Sequence, residues 1–109
     1  MNDINLMNKA ADNIRILAAS MVEKAKSGHP GGAMGGADFV NVLFSEFLVY
    51  DPKNPTWEGR DRYFQDPGHM SPMLYSVLAL TGKFTIDELK EFRQWGSVTP
   101  GHPEVNVMR

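Results

Sequence analysis

Between Ile4 and Ala25, apolar residues return at every third or fourth position: Ile4, Met7, Ala11, Ile14, Ala18, Met21 and Ala25. Only an α-helix sets such a series on one line, because 3.6 residues complete each turn. Leu6, Ala10, Leu17 and Val22 widen that line into a face. The alanines on the line let a neighbouring helix come close, which favours packing within a domain over a coiled coil. The sequence therefore predicts a helix from about Asp3 to Lys26. Asn2 or Asp3 can cap its start, Lys24 and Lys26 suit its negative end, and Gly28 fits the position just past it.

Downstream the pattern is punctuated. Pro30 and the glycines at 31, 32, 35 and 36 cannot all sit in a helix interior, so Ser27 to Gly36 reads as a loop. A second helix follows, with Phe39, Leu43, Phe47 and Tyr50 on one line and Val40, Phe44 and Leu48 beside it. It is apolar around most of its circumference, which predicts burial on more than one side. Asp51-Pro52 ends it, and the chain stays polar to Arg62. Tyr63-Phe64-Gln65 fits a very short strand before the turn Asp66-Pro67-Gly68. A third helix begins with Ser71 as N-cap and Pro72 at its first position, and Gly82 stops it. A fourth opens on the capping box Thr85 to Glu88 and runs through Leu89, Phe92 and Trp95 to Gly96. Trp57 and Trp95 read as packing residues. The expected chain is mostly α-helical, with at most one or two short strands.

Composition narrows the function classes. At 109 residues the chain is one small domain or part of a larger one, burying roughly 65% of its unfolded surface. Eleven Lys and Arg stand against thirteen Asp and Glu, with no block of one sign. That removes the charge argument for nucleic acid or a membrane surface. There is no cysteine, which excludes disulfides, thiolate zinc sites and thiol nucleophiles. No signal-peptide pattern opens the chain, and no apolar run nears the ~18 residues of a membrane-spanning helix. A soluble, reducing, intracellular setting is the expectation.

The chemistry-bearing signal is a pairing. Each of the three histidines follows a glycine: Gly28-His29, Gly68-His69 and Gly101-His102. Each pair falls in a turn beside a predicted helix end. Glycine permits a positive φ or a close backbone approach, and the turn then presents the imidazole from a fixed place. Imidazole can donate to a phosphate oxygen or sugar hydroxyl, and can pass a proton near neutral pH. The plain alternative is three ordinary turn histidines. A three-histidine zinc site competes as well, although none of the residues has the short spacing that draws two ligands from one element. The glycine pairs 31–32 and 35–36 precede the second helix, where free N–H groups could meet an anion or where close packing could need them. They match neither nucleotide-binding fingerprint. Asp87, Glu88 and Glu91 read as a solvated helix face.

In order and spacing, these motifs resemble the opening of a transketolase. The resemblance rests on Ser27-Gly28-His29-Pro30-Gly31, Met34-Gly35, Asn54-Pro55, Arg60-Asp61-Arg62, Gly68-His69 before Ser71, and Leu74-Tyr75. It continues through Leu80-Thr81-Gly82, Leu89-Lys90, Phe92-Arg93-Gln94, Gly96-Ser97 and Thr99 to Glu104. Two positions depart from the family pattern: Ala33, where proline is common, and Met70, where alanine is usual.

The resemblance implies an α/β parent fold that binds thiamine diphosphate, with residues 1–109 as an incomplete, helical first part of the diphosphate-binding domain. It implies transfer of a two-carbon ketol unit from a ketose phosphate to an aldose phosphate, in a cytoplasmic homodimer of the pentose phosphate pathway. His29 then resembles a histidine that contacts substrate and assists proton transfer, His102 one that binds the donor's first hydroxyl, and His69 one near the cofactor diphosphate. The metal-binding Gly-Asp-Gly motif is absent from the sequence, so no metal ligand is assigned here, and Mg2+ belongs to the complete enzyme. The expected partners are sugar phosphates and the rest of a transketolase chain. The 109 residues alone are expected to be inactive. The alternative is a non-enzymatic helical assembly module of the same lineage.

Overall fold

A computed structural model describes residues 2–104. Helix α1, Ile4–Ala25, is the axis of the fold. The Asp3 carboxylate caps it, accepting from the N–H groups of Asn5 (2.7 Å) and Leu6 (3.1 Å). Ala11, Ile14, Ala18 and Met21 form its buried line, as the period predicts. The other end departs from expectation. Lys26, at φ 54°, takes the left-handed position, and Gly28 lies two residues beyond it.

The glycine-rich stretch is a helix, not a loop. Helix α2 covers Pro30–Gly35 and α3 covers Ala37–Val42. Proline is favoured in a first turn, and Pro30 opens α2 there. The Gly36 N–H donates to the Gly32 carbonyl at 2.9 Å, which uses a group that an anion would have needed. Space explains two of the glycines. A β-carbon at Gly32 would lie 2.9 Å from Met70 Cγ, and one at Gly36 would lie 2.7 Å from Met73 Sδ. Met70, the family departure, therefore packs on the bare face of α2. The packing reading holds at Gly32 and Gly36, whereas Gly31 and Gly35 face open space.

Helix α3 runs into a single π-helical turn, Leu43–Phe47, closed by the Leu48 N–H on the Leu43 carbonyl at 2.8 Å. Val40 and Phe44 are buried, whereas Phe39 and Phe47 are about 70% exposed (71% and 69%). The expected burial on several sides is thus met on one side only within these residues. Asn41 is buried and ties α3 to α1, its Nδ2 donating to the Met7 carbonyl at 3.0 Å. Arg15 bridges the same helices, reaching Asp12 at 2.7 Å and Asp38 at 2.9 Å.

No strand forms among the described residues. Residues 63–65 keep the in–out alternation of one: Tyr63 sits edge-on to Phe44 with centroids 5.2 Å apart, while Phe64 is 89% exposed. A strand is defined by its ladder, and no described backbone lies alongside to supply one.

A 3₁₀ turn, Gly68–Met70, leads into α4, Ser71–Leu80, whose residues Ser71 to Val77 are all buried. Ser71 is the first helical residue, with Met70 in the cap position, so the expected Ser71 cap does not form. Gly82, at φ 92°, follows the helix as expected. Helix α5, Ile86–Lys90, carries the predicted capping box but stops at Lys90. The chain turns at Arg93, and Trp95 leaves the register of Leu89 and Phe92. Trp95 is fully exposed (103%), against its expected packing role, while Trp57, 41% exposed, lays its ring on Gly59.

Two apolar clusters flank α1. Ile14 and Ala18 meet Ala33, Val40, Leu74 and Val77 on one side, and Met21 meets Tyr75, Phe84, Leu89 and Phe92 on the other. Full burial of a side chain such as Ile14 is worth about 1.5–3 kcal/mol. The second cluster reaches the turn of His29 through Phe92 on Gly28 and the loop of His102 through Tyr75. Met70, in the turn of His69, packs on the first.

Candidate functional site

His29 stands in the cap position of α2 with an extended backbone (φ −124°, ψ 103°). The residue before it explains the pairing. Gly28 has φ 126°, and a β-carbon there would lie 3.2 Å from both the Phe92 ring and Val22 Cγ2. The positive φ calls for glycine, and an added carbon would also crowd both neighbours. His69 lies in the 3₁₀ turn before α4 and is half-buried.

His102 sits on a loop held from below by three consecutive carbonyls. The Arg93 N–H donates to the Thr99 carbonyl at 3.1 Å, the Tyr75 hydroxyl to that of Pro100 at 2.5 Å, and the Ser71 hydroxyl to that of Gly101 at 2.6 Å. Thr99 is itself buried, its hydroxyl donating to the Glu88 carbonyl at 3.1 Å. Burial, with the charge of Glu104 adding to it, raises the Tyr75 pKa well above the ordinary phenol value. Tyr75 therefore stays a neutral donor.

The three turns, 40 and 33 residues apart in sequence, come together. The rings of His29 and His69 pack with centroids 4.5 Å apart and planes tilted by 55°. The His102 ring lies on Gly68, where a β-carbon would be 3.0 Å from Nδ1 and 3.3 Å from Cγ. His29 and His102 are exposed, so a solute can reach the cluster. Among the described residues, no group of three or more His, Cys, Asp or Glu is arranged to hold a metal ion, which leaves the zinc reading without support. Asp87, Glu88 and Glu91 belong to the α5 surface: Glu88 closes the capping box and Asp87 pairs with Lys90 at 3.7 Å.

Sequence reasoning did not find that Ser71, Tyr75 and Arg93 hold this arrangement. Each acts on a partner far along the chain, so no local period marks it. What imidazoles so grouped can do is donate to phosphate oxygens and sugar hydroxyls and relay protons.

The family model for the transketolase thiamine diphosphate binding domain matches residues 6–109. The chain belongs to the transketolase family. It is 54% identical over 101 residues to the transketolase of Buchnera aphidicola, which covers 92% of this chain and 15% of that one. It is 50% identical over 104 residues to the chloroplastic transketolase-1 of Arabidopsis thaliana, covering 94% and 14% respectively. Among solved structures, the Campylobacter jejuni transketolase superposes with a TM-score of 0.90 at 47% identity, over 98% of this chain and 17% of that one. A Pichia stipitis transketolase in complex with sedoheptulose-7-phosphate gives 0.87 at 44% identity, over 90% and 14%. The chain thus spans about 15% of the length of the transketolases it matches. The parent fold of those enzymes is thiamine diphosphate-binding α/β, and these residues are a helical part of it. No helix among the described residues is long and apolar enough to cross a membrane.

Proposed function

We propose that this chain is the N-terminal part of the diphosphate-binding domain of a transketolase, an enzyme moving a two-carbon ketol unit from a ketose phosphate to an aldose phosphate. The observation that carries the site assignment is the convergence of the three glycine–histidine turns, with His29 on His69 and His102 on Gly68. The donor set suits the cofactor. Imidazole N–H groups can meet diphosphate oxygens, and the exposed pair can meet a sugar's hydroxyls and phosphate. When bound, thiamine diphosphate supplies the nucleophilic carbon and electron sink for breaking the ketose C–C bond.

In this reading His69 binds the cofactor diphosphate. His29 and His102 bind the sugar and hold or move protons at its oxygens. Mg2+ balances the diphosphate charge, with ligands from elsewhere in the parent polypeptide. Sugar phosphates are the substrates, a second copy of the complete enzyme is the partner, and the cytoplasm is the setting. The complex solved for the Pichia stipitis enzyme supports the substrate class. The 109 residues alone are inactive in this proposal, because the remaining cofactor-binding residues must come from the rest of the polypeptide.

The test is a segment exchange. Residues 1–109 replace the matching segment of Escherichia coli transketolase 1, to which the chain is 53% identical over 96 residues. The chimera is expected to transfer ketol units in the presence of thiamine diphosphate and Mg2+. A chimera that folds and dimerises yet shows no transfer would leave the chain as a helical assembly module.

A further inference from the structure

We propose that Arg93 is a positioning residue, a strap that fixes the turn carrying His29 to the turn carrying His102. The inference rests on the site reading above and adds a residue to it. The starting observation is backbone strain. Arg93 has φ 61°, in the left-handed region that a residue with a β-carbon seldom occupies. Arginine stands there although glycine would fit without strain, which points to a task for its side chain.

The contacts name the task. One guanidinium N–H donates to the Ser27 hydroxyl at 2.5 Å, and Ser27 lies two residues before His29. The guanidinium plane also lies against Gly101, the residue before His102. A β-carbon at 101 would be 2.9 Å from Nε, 3.3 Å from Nη2 and 3.4 Å from Cζ. The backbone completes the hold, because the Arg93 N–H donates to the Thr99 carbonyl at 3.1 Å. Its Cζ stands 5.8 Å from the centroid of Phe92, the ring that also packs on Gly28. No ion pair engages Arg93 among the described residues. The side chain is therefore used for its flat shape and its fork of donors, which lysine lacks. Sequence distance shows how much this contact spans: Ser27 and Arg93 are 66 residues apart. The left-handed turn at 93 ends the α5 register and aims the guanidinium back across both loops.

The test uses the chimeric enzyme with Arg93→Gly, Arg93→Lys and Ser27→Ala beside His29→Ala and His102→Ala. Glycine relieves the left-handed strain and keeps the bond to Thr99, so Arg93→Gly is expected to fold with an unchanged melting temperature. Its kcat/KM for the ketose phosphate is expected to fall roughly 10- to 100-fold, the cost of ångström-scale misplacement of reacting groups. Cofactor affinity is expected to hold within about twofold, since the strap does not touch the His69 turn. Amide hydrogen exchange is expected to quicken at Gly28, His29, Gly101 and His102 only. Arg93→Lys, with the charge but no flat face, is expected to recover little. Full turnover in Arg93→Gly while either histidine variant is impaired overturns the strap alone. Full turnover in the histidine variants as well overturns the strap and the site reading together.

Discussion

The Ser71 hydroxyl donates to the Gly101 carbonyl at 2.6 Å, and that one bond ties the turn bearing His69 to the turn bearing His102. Ser71 is wholly buried at the start of α4, two residues after His69. Ser71→Ala leaves the Gly101 carbonyl short of a partner. The expected loss is about 1 kcal/mol, the usual net worth of a hydrogen bond to a half-buried acceptor. Denaturant melts of the chimera and its Ser71→Ala variant measure it, and a change within experimental error would show that solvent replaces the bond.

Tyr75 gives the account a pH dependence. Its hydroxyl is buried and donates to Pro100, and burial raises its pKa above the unfolded value. A folded pKa above the unfolded one contributes stability that is complete below pH ~10 and lost as pH rises beyond it. The alkaline limb of the stability curve is therefore expected to steepen above pH ~10 and to flatten in Tyr75→Phe. That variant is also expected to lose about 1 kcal/mol at neutral pH with its hydrogen bond. An identical alkaline slope in both proteins would rule Tyr75 out as the source.

Gly68→Ala probes the seat of His102. The new methyl would stand 3.0 Å from His102 Nδ1, so the exposed ring must yield by a few tenths of an ångström. Stability is expected to change little, while kcat/KM falls several-fold through displacement of the ring. A crystal structure of the variant with His102 unmoved would contradict the contact.

Gly28→Ala is expected to do the opposite. At φ 126°, with Phe92 and Val22 only 3.2 Å from the added carbon, alanine is both strained and crowded. A loss of more than about 1 kcal/mol is expected. Thermal melts check it, and a stability equal to the parent would mean that the turn relaxes freely.

What was legible in the sequence was local. The α1 period, the Asp3 cap, the Thr85–Glu88 capping box and the Gly82 stop each depend on residues within a turn of one another, and all are present. The glycine–histidine pairing was legible too, and each glycine has a local reason: a positive φ at Gly28, the His102 ring at Gly68 and the Arg93 guanidinium at Gly101. Three misreadings share one cause, contacts made at long range. Gly32 in α2 and Gly36 at its C-cap face Met70 and Met73, which fill the space their side chains would take. Ser71 leaves its capping role, its hydroxyl donating instead to the Gly101 carbonyl 30 residues on. Helix α5 stops short because Arg93 turns left-handed toward Ser27. The strand expected at 63–65 has no ladder among the described residues, although its in–out alternation is present.

The most direct test of the central claim is a comparison of His29→Ala, His69→Ala and His102→Ala in the chimeric transketolase, with steady-state kinetics, thiamine diphosphate affinity and melting temperature read on the same samples. The account predicts a fall in kcat/KM of roughly 10²-fold for His29→Ala and His102→Ala at nearly constant cofactor affinity. It predicts weakened cofactor binding for His69→Ala. Unchanged turnover per folded molecule in all three, with only the melting temperature reduced, would make the histidines turn residues and contradict the site.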